Sequence, residues 1–302
     1  MNLKDIENFS KKKSGKIFFD HNLNKANWFN IGGKAKIFFK PENLSDLIEF
    51  LKIYNNRGKV FVLGAGSNVL IQDGTFEGVI IKLGKNFSNL SILNNDIIIA
   101  GSGAQDKKLS EFACDNELSG FEFLYCIPGT IGGGIRMNSG CFGREFKDVI
   151  LSVQAIDTSG NIITIPKDKI KFNYRESDLK KNLIFLSASL KGQVKDKKLI
   201  SEKMSLLKSK KNESQPTRIK TGGSTFKNPI YQTNKKVWEL IKLSVPLDTH
   251  YGDASISEKH CNFFINKNKA SYKDMKKLIK FVKKKVFDST GIQLSLEIVL
   301  VE

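Results

Sequence analysis

Histidine, paired cysteine and long apolar runs are in short supply in this chain, and each shortage excludes something. Only His21, His250 and His260 occur in 302 residues. A histidine-rich metal centre is therefore not expected, and no metal site is assigned. The four cysteines, Cys114, Cys126, Cys141 and Cys261, form no C-x-x-C pair and have no histidine at metal-ligand spacing. They read as thiols in a reducing cytoplasm. No apolar run approaches the ~18 residues of a membrane span. Residues 1–20 are charged and lack a continuous apolar stretch, so neither a secretory signal nor membrane insertion is expected. Acid is also scarce relative to base: 31 Asp and Glu against 49 Lys and Arg leave a net charge of +18.

That surplus attracts polyanions of any kind, nucleotides included. Its densest stretch, Lys273 to Lys285, carries Met275, Leu278, Ile279, Val282 and Val286 at helical spacing. The pattern is an amphipathic helix with lysines on its wet face. No aromatic platform or nucleic-acid motif accompanies it, so no nucleic-acid partner is expected. Hydrophobic content of 40% and charged content of 26% are those of a soluble globular protein, long enough for two or three domains.

Periodicity predicts helices over 43–57 (stopped by Gly58), 105–116, 198–211, 235–243 and 272–287. Strands are expected at 60–63, 79–82, 97–100 and 183–190, with a hairpin of 150–157 and 162–165 around Ser159-Gly160. A last alternating strand is expected over 292–300. Helices and strands mix without regular alternation, so the fold class is α+β.

Five segments could carry chemistry. The first, Gly64-Ala65-Gly66-Ser67-Asn68, follows the apolar run Val60–Leu63. A strand entering glycines can bring bare amides against phosphate. It is not G-x-G-x-x-G, since Val69 stands where the third glycine would be. A tight turn in a β-rich domain explains it equally well. The second, 120–143, holds Pro128-Gly129-Thr130 and Gly132-Gly133-Gly134. So many glycines argue against a regular helix or strand and suggest backbone wrapped around a flat or phosphorylated ligand. Phe121, Phe123, Leu124, Ile127 and Ile131 are too apolar for a plain surface loop.

In the third, Tyr174-Arg175 can offer a phenol and a planar cation to a carboxylate, or simply stack at the surface. The fourth, Thr221-Gly222-Gly223-Ser224-Thr225-Phe226-Lys227-Asn228-Pro229, sets a serine on a glycine turn without a G-x-S-x-G elbow. That serine is a proton donor or an ordinary turn residue. Near the end, Glu297 is an acid among apolar residues. Strict alternation would put it on the face of Ser295 and Gln293, solvent-facing or, if buried, in need of a partner such as Arg175.

Taken in order, these blocks resemble the UDP-N-acetylenolpyruvoylglucosamine reductase (UDP-N-acetylmuramate dehydrogenase) family from about Asn27 to Glu302. The motifs are Ile31-Gly32-Gly33, the Gly64 loop, Ile127-Pro128-Gly129-Thr130-Ile131-Gly132-Gly133 and Tyr174-Arg175-x-Ser177. Gly223-Ser224-x-Phe226-Lys227-Asn228-Pro229 and Ser257-x-x-His260-x-Asn262-Phe263 complete the set. The compact spacing from Ser177 to Gln215 is similar to the shorter, type II form, while Arg136 and Cys141 stand where smaller or aromatic residues are common. The resemblance implies a two-lobed, PCMH-type FAD-binding domain over 1–195 (lobes about 1–85 and 86–195) and a smaller α+β substrate-binding domain over 196–302. It implies a cytoplasmic flavoenzyme of peptidoglycan synthesis, with FAD as cofactor, NADPH as hydride donor and a UDP-sugar enolpyruvyl ether as substrate. Gly64, Ala65, Gly66, Ser67, Asn68, Pro128, Gly129, Thr130 and Gly133 would hold FAD. Arg175 and Glu297 would stabilise charge on the substrate carboxylate, and Ser224 would donate a proton. Tyr174, Lys227 and Asn228 would grip substrate.

Overall fold

Asn43 begins one of the first long helices by accepting the Asp46 amide on its side chain, and Asn55, in the left-handed region at φ 46°, ends it. In the computed structural model, which describes residues 3–12, 14–55 and 57–302, that helix covers Leu44–Tyr54. It therefore stops short of Gly58: asparagine tolerates the left-handed cap well enough to end the helix first.

Two units emerge from the fold. The first comprises 1–19, 37–65 and 77–210, and the second comprises 20–36, 66–76 and 211–302. The second thus takes two short N-terminal segments besides the C-terminal third, where a contiguous division near 195 was expected.

The first unit contains helices α1 (Leu3–Lys12), α2 (Leu44–Tyr54), α3 (Asp106–Asp115) and α4 (Ile131–Arg136), and most of α5 (Lys197–Ser214). Its larger sheet is antiparallel throughout, in the order Ile162–Pro166, Ile150–Ile156, Ile184–Lys191, Ile97–Gly101, Leu90–Leu93. The expected hairpin is its first pair, turned at Gly160 with φ 90°. A four-stranded sheet, most of whose residues belong to this unit, runs Lys16–Asn22, Lys34–Lys40, Thr75–Ile81, Lys59–Val62. Its last pair is parallel. Among the described residues, two large cores lie in this unit. One packs Leu109, Ala113, Phe121, Phe123, Ile131 and Phe146 under the five-stranded sheet. The other gathers Phe9, Phe39, Phe50 and Tyr54, with Phe39 and Phe50 stacked at 4.2 Å.

The glycine-rich segment holds a helix after all. α4 contains Gly132, Gly133 and Gly134. A Cβ on Gly134 would lie 2.2 Å from the Phe146 ring, and one on Gly132 3.2 Å from Ser102. Here glycine is a requirement of close packing, which outweighs its poor helix propensity.

The second unit contains α6 (Val237–Ser244) and α7 (Tyr272–Thr290). Its sheet, in the order Thr221–Ser224, Phe263–Asn266, Ala254–Ile256, His250–Tyr251, is antiparallel. α7 opens on a capping box between Ser271 and Asp274 and closes on Gly291 at φ 70°. Its apolar stripe, Met275, Leu278, Ile279, Val282 and Val286, is buried in a large core of the unit with Phe29, Phe226 and Phe264, as the periodicity predicts.

The expected strand over 292–300 is corrected. Only Val299–Val301 is strand, parallel to Val69–Ile71. Upstream, Leu296 bridges to Phe226 and the Glu297 amide donates to the Thr225 carbonyl at 2.9 Å. The Val299 amide donates instead to the Asn68 carbonyl at 2.9 Å. The chain exchanges one backbone partner for another at Glu297 and Ile298, and the bend there removes the strict alternation assumed for Glu297.

Candidate active site

The five amides from Gly64 to Asn68 donate to no other backbone group among the described residues. Such amides need an acceptor from elsewhere. Gly64 also lies against Thr130: a Cβ there would come within 2.5 Å of the Thr130 hydroxyl. Gly66 has φ +71°, and a Cβ on it would strike the Ala26 carbonyl at 2.4 Å. Both positions exclude side chains.

In the first unit, the segment after Pro128 is pinned from behind. The Ile131 amide donates to the Ala104 carbonyl and the Gly132 amide to the Ser102 carbonyl, each at 2.9 Å. Pro128 and Gly133 are exposed, and the space where a Gly133 Cβ would sit meets nothing closer than the Thr130 hydroxyl at 3.5 Å. Loose amides, glycine-cleared surface and a fixed backing suit the phosphates of a dinucleotide. These residues fit FAD.

Behind this segment lies Asp106, which the sequence did not single out. It is fully buried, and neither carboxyl oxygen has a hydrogen-bond partner among the described residues. A Cβ on Gly129 would lie 2.4 Å from Asp106 Oδ2. Burial pushes the Asp106 carboxyl well above the usual carboxylate range.

Arg175 is also in the first unit, at the tip of a hairpin pairing Phe172–Asn173 with Glu176–Ser177. Its backbone is left-handed, φ 57°. The guanidinium lies over the Tyr174 ring at 4.9 Å. Nη2 donates to the Gly140 carbonyl at 2.7 Å, and Nη1 to Glu145 Oε1 at 3.5 Å. The carboxylate set against it in this unit is therefore Glu145. The hairpin is moored by the Ser177 hydroxyl, which donates to the Arg136 carbonyl at 3.0 Å. The Arg136 guanidinium donates to the carbonyls of Leu179, Lys180 and Leu183 and covers the Phe185 ring at 4.2 Å. Burial draws its pKa down to about 10. Arg136 is thus a structural tie for the chain entering Ile184–Lys191.

In the second unit, Ser224 follows Gly223, whose φ is +80°, where the register with Phe263–Asn266 is interrupted. A Cβ on Gly222 would meet the Phe29 ring at 2.4 Å. The neighbouring Thr225 amide donates to the Asn262 carbonyl at 2.7 Å, and the Thr225 carbonyl accepts from the Glu297 amide. Ser224 and Glu297 are therefore brought together through Thr225, and both are half-buried. The Asn68 side chain joins them by donating to the Glu297 carbonyl at 3.0 Å. The Lys227 amide donates to the Ser295 carbonyl at 2.9 Å. The Asn228 side chain accepts from the Val237 amide at 3.0 Å, at the start of α6. His260 accepts from the Asn262 amide at 3.2 Å, and burial lowers its pKa.

The C-terminal region, 215–301, matches the family model "UDP-N-acetylenolpyruvoylglucosamine reductase, C-terminal domain", and 35–166 matches "FAD binding domain". The UDP-N-acetylenolpyruvoylglucosamine reductase of Pelagibacter ubique is 61% identical over 298 residues, 99% of each chain. The chain belongs to the UDP-N-acetylenolpyruvoylglucosamine reductase family. The Rickettsia typhi member is 45% identical over 92% of this chain and 93% of its own length. The crystal structure of the Thermus caldophilus reductase (MurB) superposes with a TM-score of 0.80 at 26% identity, covering 95% of this chain and 99% of that one. Family membership makes this chain an FAD-dependent oxidoreductase of α+β fold.

Asn138 and Glu145 are the other residues the sequence did not single out. Asn138 lay within the glycine-rich run, but the Asn173 carbonyl it donates to is 35 residues away. The signal for Glu145 was the acid three residues later: Asp148 accepts the Glu145 amide at 2.9 Å and fixes a short 3-10 helix.

Proposed function

We propose that this chain reduces the enolpyruvyl ether of UDP-N-acetylglucosamine to UDP-N-acetylmuramate at the expense of NADPH, in the cytoplasm, as a step in peptidoglycan precursor synthesis. The observation that carries the reading is 61% identity, end to end, with a curated reductase. Supporting it is the juxtaposition of the Ser224 turn with Glu297.

Gly64, Ala65, Gly66, Ser67, Asn68, Pro128, Gly129, Thr130 and Gly133 hold the FAD, chiefly by backbone. Bound FAD would supply the hydride-transfer chemistry between NADPH and the enolpyruvyl ether. Arg175, in the first unit, and Glu297, in the second, are each assigned to stabilising the negative charge that builds on the substrate carboxylate as the neighbouring carbon becomes nucleophilic. Ser224 gives its hydroxyl proton to that carbon. A serine is a weak acid, but an enolate-like carbon is a strong base, so placement matters more than a low pKa. Tyr174 supports Arg175, and Lys227 and Asn228 line the substrate side. The lysine surplus draws two polyanionic substrates toward one protein.

Stopped-flow measurement of the two half-reactions tests this. In Ser224→Ala, flavin reduction by NADPH should remain near wild type. Reoxidation by the enolpyruvyl substrate should slow by about 10²–10⁴-fold, the span of one positioned acid. Wild-type rates in both halves would refute the role of Ser224.

A further inference from the structure

We propose that Glu145 and Asn138 are positioning residues for Arg175: they aim its guanidinium at the substrate carboxylate without touching substrate themselves. The proposal rests on the role given to Arg175 above.

An arginine at the third position of a tight turn is costly, because that position wants φ above zero and favours glycine or asparagine. Arg175 occupies it with φ 57° while Tyr174 is not in that region. Its side chain has four flexible bonds and loses much freedom when held. Something must direct it, and its contacts with neighbouring residues do. Tyr174 fixes the guanidinium plane from below, at 4.9 Å. The Gly140 carbonyl takes Nη2 at 2.7 Å and Glu145 Oε1 takes Nη1 at 3.5 Å. The side chains of Arg175 and Glu145 are only 17% and 16% exposed, so solvent screens the pair little.

Glu145 is itself immobilised on its far side. Oε2 accepts from Asn138 Nδ2 at 3.0 Å and from Lys147 Nζ at 2.9 Å. Asn138 is fully buried. Its Nδ2 also donates to the Asn173 carbonyl at 2.9 Å, on the arginine hairpin, and its Oδ1 accepts the Lys147 amide at 3.0 Å. One amide therefore clamps the hairpin to the loop that carries Glu145. Gly140 pairs with Glu145 across a two-residue ladder, and a Cβ on it would fall 2.1 Å from the Arg144 carbonyl. Only glycine leaves that carbonyl where Arg175 can reach it. The result is a planar fork with two donors committed to the protein and its direction set by residues at 138, 140 and 145.

The test uses the FAD-loaded enzyme and Glu145→Gln, alone and combined with Arg175→Ala. The expected result for Glu145→Gln is unchanged FAD content and NADPH half-reaction, with the oxidative half-reaction slowed about tenfold or more, as for loss of one charge-assisted contact. Calorimetric affinity for the enolpyruvyl substrate should fall with it. In the Arg175→Ala background the same substitution should change the oxidative rate by less than about twofold, because its effect passes through the missing guanidinium. Equal losses in both backgrounds, or wild-type oxidative rates in Glu145→Gln, would overturn the proposal. Should Glu145→Gln fail to fold, Glu145→Asp keeps the charge and withdraws it by one methylene. It should show the same selective loss, and wild-type behaviour in it would overturn the proposal equally. A wild-type enzyme that does not turn over the enolpyruvyl substrate would instead refute the function above, which separates the two failures.

Discussion

Arg175 and Ser224 both sit beside residues in the left-handed region or in it, yet they are held by opposite means. Around Arg175 the work is done by side chains: the Tyr174 ring, the Glu145 carboxylate and, behind them, the Asn138 amide. Around Ser224 it is done by backbone: the Thr225 amide on Asn262, the Glu297 amide on Thr225, and glycines at 222 and 223 that let the turn form. The contrast follows from the side chains being placed. A serine hydroxyl is one bond from Cβ, so fixing the backbone fixes the oxygen to within a rotamer. A guanidinium ends a long chain and has a plane as well as a position, so a fixed backbone leaves it undirected.

If this is right, the arginine region breaks when one side chain is lost, and the serine region breaks only when the backbone is forced. The largest effect should come from Asn138→Ala. It strands the Lys147 amide, the Asn173 carbonyl and one side of Glu145, and puts alanine at φ 41°. A loss of about 2–4 kcal/mol in chemical denaturation is expected. Asn138→Gly should lose nearly as much, since glycine removes the backbone strain but restores no hydrogen bond. A loss below about 0.5 kcal/mol in both, the range of an ordinary surface change, would mean the clamp is not holding the hairpin.

In the serine region the matching substitution adds an atom. Gly222→Ala places a methyl 2.4 Å from the buried Phe29 ring. About 1–3 kcal/mol of destabilisation is expected from the forced shift, with the Ser224 turn displaced and the oxidative half-reaction impaired. An alanine variant as stable as wild type would show that Phe29 yields freely and that the turn is less tightly dictated than its backbone pattern suggests.

The same contrast explains what could be read before the fold was known. The helix over 44–54, the lysine-faced helix α7 and the hairpin at Gly160 were legible because their signals are local: apolar spacing, caps and turn glycines. The turn at Ser224 was legible because its glycines adjoin it. The strand expected over 292–300 failed because alternation cannot reveal that Leu296 and Val299 serve different partners, Phe226 and Val69. α4 was hidden because its glycines answer to Phe146 and Ser102, outside the helix. The contact that Glu145 makes was invisible for the same reason. Its meaning lies in Arg175, thirty residues on, and no periodicity reports a contact of that separation.

The smallest effect should come from a group in the first unit that has no such partner. Asp106 is as buried as Asn138, but its carboxyl oxygens find no donor among the described residues, and burial raises its pKa well above the ordinary value of 3.8. The folded protein therefore keeps this proton after the unfolded chain has released it. As pH climbs from about 4 through the raised folded value, the unfolded state binds fewer protons than the folded one, and stability falls across that window. Asp106→Asn has nearly the same shape and cannot ionise, so it escapes the loss. Near pH 4 the two proteins should melt almost together. Toward pH 8 the asparagine variant should melt progressively higher, with the gap flattening once the folded carboxyl has ionised. Calorimetry across that range checks the sign. A gap that stays constant, or closes as pH rises, would mean that Asp106 is held as a carboxylate by a donor such as bound water behind Gly129. It would then resemble Glu145, a charge kept in place by its partners.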